Sequence, residues 1–93
     1  MIIEEKELIP NYSKSISWVV LDNELFVFDE KFNEIIMLKG AIKKFWMLID
    51  GKNSLGQIIN SLSSQLNCNK NDISDKILKK VDDFILKEIL ILE

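Results

Sequence analysis

The stretch Ile16-Ser17-Trp18-Val19-Val20-Leu21-Asp22-Asn23-Glu24-Leu25-Phe26-Val27-Phe28 decides the fold. Two runs rich in β-branched and aromatic residues flank Asp22-Asn23, and Asp and Asn tolerate the positive φ that a two-residue hairpin loop demands. Two antiparallel strands are therefore expected. A second turn, Asp29-Glu30-Lys31-Phe32-Asn33, leads into a third run, Glu34-Ile35-Ile36-Met37-Leu38.

Beyond Leu38 the apolar period changes from two to about 3.6, because Ala41, Ile42, Phe45, Trp46, Leu48 and Ile49 share one helical face. That helix is expected to stop at Asp50-Gly51, where glycine suits a left-handed residue. Ser54 with Gln57 three residues on forms a capping-box pattern, and Leu55, Ile58, Ile59, Leu62 and Leu66 line a second helix. Asn67-Cys68-Asn69 breaks it. Asn69 then caps a third helix, carried by Ile73, Ile77, Val81, Phe84 and Ile85 to about Lys87.

Upstream of the hairpin, Ile2, Ile3, Leu8 and Ile9 stand among Glu4, Glu5, Lys6 and Glu7 ahead of Pro10, the single proline. Residues 1–14 suit either an edge strand or an ordered arm. At the other end the tail Ile89-Leu90-Ile91-Leu92 is apolar and short. Strands followed by helices, with short connections, predict an α+β domain: a three-stranded antiparallel sheet and three helices on one face, as in a winged helix-turn-helix. The whole chain, 1–93, is expected to be one domain.

Composition excludes much chemistry. All twelve basic residues are lysine, against fifteen acids, and there is no histidine or arginine. Histidine is the usual proton carrier near neutral pH, and arginine is the planar fork for phosphate and carboxylate. Cys68 has no base to activate it and supplies at most one zinc ligand, so no catalytic residue, metal or cofactor is expected. The acid pairs Glu4-Glu5, Asp29-Glu30 and Asp82-Asp83 read as solvated faces, and Gly40, Gly51 and Gly56 lack a phosphate-cradling spacing. No apolar run is long enough to cross a bilayer, and the N-terminus lacks the basic start and apolar stretch of a signal peptide, so a cytoplasmic protein is expected.

A winged helix also raises DNA binding. Its would-be recognition helix carries Lys70, Lys76, Lys79, Lys80 and Lys87 against Asp72, Asp75, Asp82 and Asp83, a poor phosphate track, so nucleic acid is not the expected partner.

Two features exceed a plain fold. The strands are apolar on both faces, so the face away from the helices wants a cover: the N-terminal arm, a homodimer or a partner. On the third helix the apolar arc spans about 140°, which suits either a wide core face or a groove beside a neighbouring strand.

In its class pattern the chain resembles the PqqD-like family, the peptide-binding domains also called RiPP recognition elements, over about residues 16–92. The most specific part is Met37-Leu38-Lys39-Gly40-Ala41-Ile42-Lys43-Lys44-Phe45-Trp46-Met47-Leu48-Ile49-Asp50-Gly51-Lys52, similar to the family's strand end, first helix with an aromatic pair, and Asp-Gly stop. Ser54-Leu55-Gly56-Gln57-Ile58-Ile59 matches its capped second helix, and Ile73 to Leu90 its third helix and apolar exit. The chain departs from the family at Lys39, often Asn there, at Lys76, often acidic, and near Glu88, often glycine.

The resemblance implies a non-catalytic module that captures the leader of a ribosomally made precursor peptide and presents it to a modifying enzyme, such as a radical SAM maturase or a lasso-type leader peptidase. In the family the leader adds as a strand beside the third strand and third helix. Here that implies Glu34, Ile35, Ile36, Met37 and Leu38, with the helix edge Ile73, Lys76, Ile77, Lys80 and Phe84. Ile73, Ile77 and Phe84 would take apolar anchors; Lys76 and Lys80 would meet acidic leader residues or be ordinary solvated lysines.

Overall fold

A computed structural model of the protein describes residues 4–93. Asp22 and Asn23 both take positive φ, 52° and 67°, and the tight turn they make pairs β2 (Ile16–Leu21) with β3 (Glu24–Asp29) from Leu21 opposite Glu24 to Ile16 opposite Asp29. The next turn is tied by Asp29, whose Oδ1 accepts from the backbone N–H groups of Lys31 at 3.0 Å and Phe32 at 3.3 Å, and Asn33 closes it in the left-handed region. β4 (Glu34–Leu38) follows, and the sheet order β2-β3-β4 leaves β2 and β4 as its two edges. Leu25, Val27 and Leu38 face inward and are buried.

Leu25, Val27 and Leu38 share one core with residues of three helices. α1 (Gly40–Met47) ends earlier than its apolar pattern predicted: Leu48 is the C-cap, while Ile49 stays in the core from the following turn. Gly51 does adopt positive φ, 75°, and an added Cβ would meet the Asn11 side chain at 3.2 Å, so the loop requires glycine. α2 (Leu55–Leu66) opens with the expected box: Ser54 Oγ accepts from the Gln57 N–H at 3.3 Å and Gln57 Oε1 accepts from the Ser54 N–H at 2.8 Å. Ser54→Ala is expected to cost about 1 kcal/mol of stability, read as a lower urea midpoint at unchanged slope. Asn67 ends α2 with φ 51°, and the Asn69 side chain caps α3 (Lys70–Leu86) by accepting from the Asn71 N–H.

The chain ends form a second sheet that the strand pattern did not foresee. β1 (Pro10–Tyr12) pairs antiparallel with β5 (Leu90–Leu92), and Ile9 and Glu93 extend the ladder with two N–H···O bonds of 2.9 Å. Ahead of it, Glu5–Glu7 form a 3-10 turn against α2, and the Leu8 carbonyl accepts from the Leu55 N–H at 2.9 Å. The described part of the arm therefore lies on the helical side and does not cover the outer sheet face; Ile2 and Ile3 lie outside the described residues. The core is continuous from Leu25 and Val27 through Phe45, Trp46, Leu55, Ile59, Leu62, Ile77, Val81 and Phe84 to Ile89 and Leu90. Trp46 is its hub: its ring lies 5.0 Å from Tyr12 and 5.6 Å, edge-on, from Phe84, and its carbonyl accepts from the Tyr12 hydroxyl at 2.5 Å.

Candidate functional site

The phase of the β ladder shows which backbone groups the sheet leaves open. Glu30 donates its N–H to the Ser15 carbonyl at 3.0 Å, so Ser15 and Glu30 are a hydrogen-bonded pair. Alternation along an antiparallel ladder then bonds Ser17, Val19 and Leu21 to β3, and turns the N–H and C=O groups of Ile16, Trp18 and Val20 to the free edge. On the far side of β3 the same alternation bonds Leu25 to Leu38, Val27 to Ile36 and Asp29 to Glu34. Ile35 and Met37 are thus the β4 residues whose backbone groups face outward from the sheet edge. Their side chains stand on the outer face, exposed, whereas Leu38 is buried, Ile36 is half-buried and packed on the core, and Glu34 is exposed.

On α3 the expected binding stripe divides. Ile73, Ile77 and Phe84 are core residues, 6%, 0% and 1% exposed, so none offers a surface anchor. This corrects the expectation for those three: they belong to the part of the apolar arc that packs on α1 and α2. Lys76 is exposed and has no ion-pair partner among the described residues. Lys80 is half-buried, its Nζ 4.0 Å from Asp83 Oδ2 and 5.8 Å from the centre of the Phe84 ring, while Lys87 reaches the same Asp83 at 3.9 Å. Of the stripe, only Lys76 and Lys80 remain at the surface. The opposite border holds Leu78 and Ile85, both packed against the core, and Leu86 stands out beyond them, 81% exposed.

A cleft of about 480 Å³ lies where Ser13, Ser15, Lys31, Ile85, Glu88 and β5 converge. Lys31 and Glu88 form an ion pair at the cleft. Sequence reasoning missed it because its walls come from four separate segments, and no local motif links them. Of the width noted on α3, Ile85 is the part that lines it.

Ionisable groups elsewhere are structural. Burial, and secondarily the Asp50 charge, push the Tyr12 hydroxyl up to about 12, keeping it a donor to the Trp46 carbonyl. Glu5 titrates above the usual carboxylate range through desolvation and the neighbouring Asp82 carboxyl, and Asp50 below it through the N–H groups of Asn53 and Lys52. Cys68 is exposed in the turn between α2 and α3. Among the described residues no group of three or more Cys, Asp or Glu side chains is placed to hold a metal ion, and no helix is long and apolar enough to cross a membrane.

Comparison of the chain with protein-family models, with curated proteins and with solved structures returns no match.

Proposed function

We propose that the protein is a non-catalytic module that captures the leader segment of a ribosomally synthesised precursor peptide by adding it as a strand to β4, and presents the peptide to a modifying enzyme. The observation that carries this reading is the β4 edge: the outward backbone groups of Ile35 and Met37 alternate with residues already bonded to β3. An edge of this kind reads a peptide by main-chain hydrogen bonds, and the exposed Ile35 and Met37 side chains give it apolar character. The class pattern from Met37 to Lys52, similar to that of PqqD-like domains, supports the same reading. So does the mixed charge of α3, where Asp72, Asp75 and Asp82 are exposed among Lys76, Lys79 and Lys87, a surface ill suited to a phosphate track.

With the three apolar α3 residues assigned to the core, the helix contributes charge alone. Lys76 and Lys80 fit a leader with acidic residues, and Lys76, with no ion-pair partner among the described residues, contributes more than Lys80, which already faces Asp83. Neighbouring genes name the probe: a short precursor beside a radical SAM enzyme, or beside a lasso-type leader peptidase and cyclase. Calorimetric titration of a synthetic peptide of that precursor's N-terminal part should give saturable one-to-one binding per chain. Lys76→Glu with Lys80→Glu should weaken it by about 1–3 kcal/mol, less at high salt, and shift stability by under about 1 kcal/mol. No heat of binding to the wild type would remove leader capture. An unaltered affinity in the double variant would remove α3 from the site.

A further inference from the structure

The outer face of the β2-β3-β4 sheet carries two cross-strand rows, Val19–Phe26–Met37 and Ser17–Phe28–Ile35, with Leu21 at one end. Leu21 is 56% exposed, Ile35 67%, Met37 46%, and Val19 and Phe28 37% each. Together these side chains leave on the order of 500 Å² of apolar surface open, at the upper end of what a monomer's largest patch reaches. Such a face on an antiparallel sheet ordinarily alternates to polar residues when it meets water.

We propose that this face seats a second copy of the chain, the two sheets packing face to face about a two-fold axis. Area is the first reason: two such faces with their polar rims reach about 1,200 Å², the lower bound of a specific stable interface. Charge is the second. An isologous contact places a surface against itself, so like charges would oppose one another, and no ionisable side chain stands within either row. Glu24, at the end of β3, and Lys39, just past β4, lie at the rim, where opposite signs are available to both copies. Aligned sheets about 10 Å apart would interdigitate Phe28 and Ile35 with their symmetry mates. This arrangement covers the Ile35 and Met37 side chains but leaves their outward N–H and C=O groups accessible at the sheet edge, so main-chain capture of a leader does not depend on it.

Sedimentation equilibrium at micromolar concentration should give twice the 10.8 kDa monomer mass, and that mass plus two peptides when leader is bound. Phe28→Lys should weaken self-association by at least about tenfold. Leu21→Lys, at the exposed end of β2, is the second variant should Phe28→Lys fold poorly by circular dichroism, and it should do the same. Val20→Lys, on the opposite face of β2, should leave the dimer intact. A monomeric wild type overturns the proposal. So does dissociation by Val20→Lys, which would move the contact to the β2 edge, and so does a dimer that folded Phe28→Lys and Leu21→Lys leave unchanged. Leader binding measured on the same proteins is not expected to follow the dimer, so the two readings fail separately.

Discussion

Phe84→Ala is expected to lower the unfolding free energy by about 3–5 kcal/mol, the range for truncating a buried aromatic side chain. Phe84 is 1% exposed and stands edge-on to Trp46 at 5.6 Å, so alanine leaves a cavity beside the largest side chain of the core and removes a ring–ring contact. Domains of this size are stable by only about 5–15 kcal/mol, so a substantial unfolded fraction should accumulate at modest urea concentration. Urea titration followed by circular dichroism reads this directly, as a lower midpoint at unchanged slope. The consequence reaches the functional question. Any loss of leader binding in this variant would report lost structure, and a destabilisation under about 1 kcal/mol would instead return Phe84 to the list of surface anchors.

That reversal shows where sequence reading succeeded and where packing decided. Asp22-Asn23, Ser54 with Gln57, and Asn69 announce themselves because each acts on backbone groups a few residues away, and the structure places all of them in those roles. Ile73, Ile77 and Phe84 were recognisable as apolar and co-facial, but the arc alone does not say which part of it meets the core and which a ligand. The helices packed against α3 settle that. α1 stops at Met47 although Leu48 and Ile49 keep the helical period, because a turn residue fills the core as well as a helical one. The β1–β5 pairing was hidden for a different reason. It joins the two ends of the chain through strands of three residues, too short for a periodic signal, and so the arm looked available to cover the sheet. For β4 the pattern located the strand, Glu34 to Leu38, but its unpaired side emerges from the strand order and from the Glu30–Ser15 bond that sets the phase.

The same phase makes the strand-addition reading sharp. Proline at Ile35 or Met37 should reduce leader binding by about 1–3 kcal/mol each, the cost of leaving the ligand's carbonyl unpaired, and the two together should take it beyond detection. The fold should survive, because proline is tolerated on an edge strand where the missing N–H faced away from the sheet, and the preceding residue is already extended. Ile36→Pro is the internal control. Its N–H is committed to Val27 in the ladder, so proline there should destabilise the sheet itself and broaden or lower thermal unfolding. Calorimetric titration of the leader peptide against the folded Ile35→Pro and Met37→Pro variants decides the matter. Wild-type affinity in both would sink strand addition at β4. The β2 edge offers the comparison, since the N–H groups of Trp18 and Val20 also face outward. If Trp18→Pro or Val20→Pro abolishes binding while the β4 variants do not, the ligand adds to the other edge of the same sheet, with Trp18 as its neighbour and the lysines of α3 irrelevant to it.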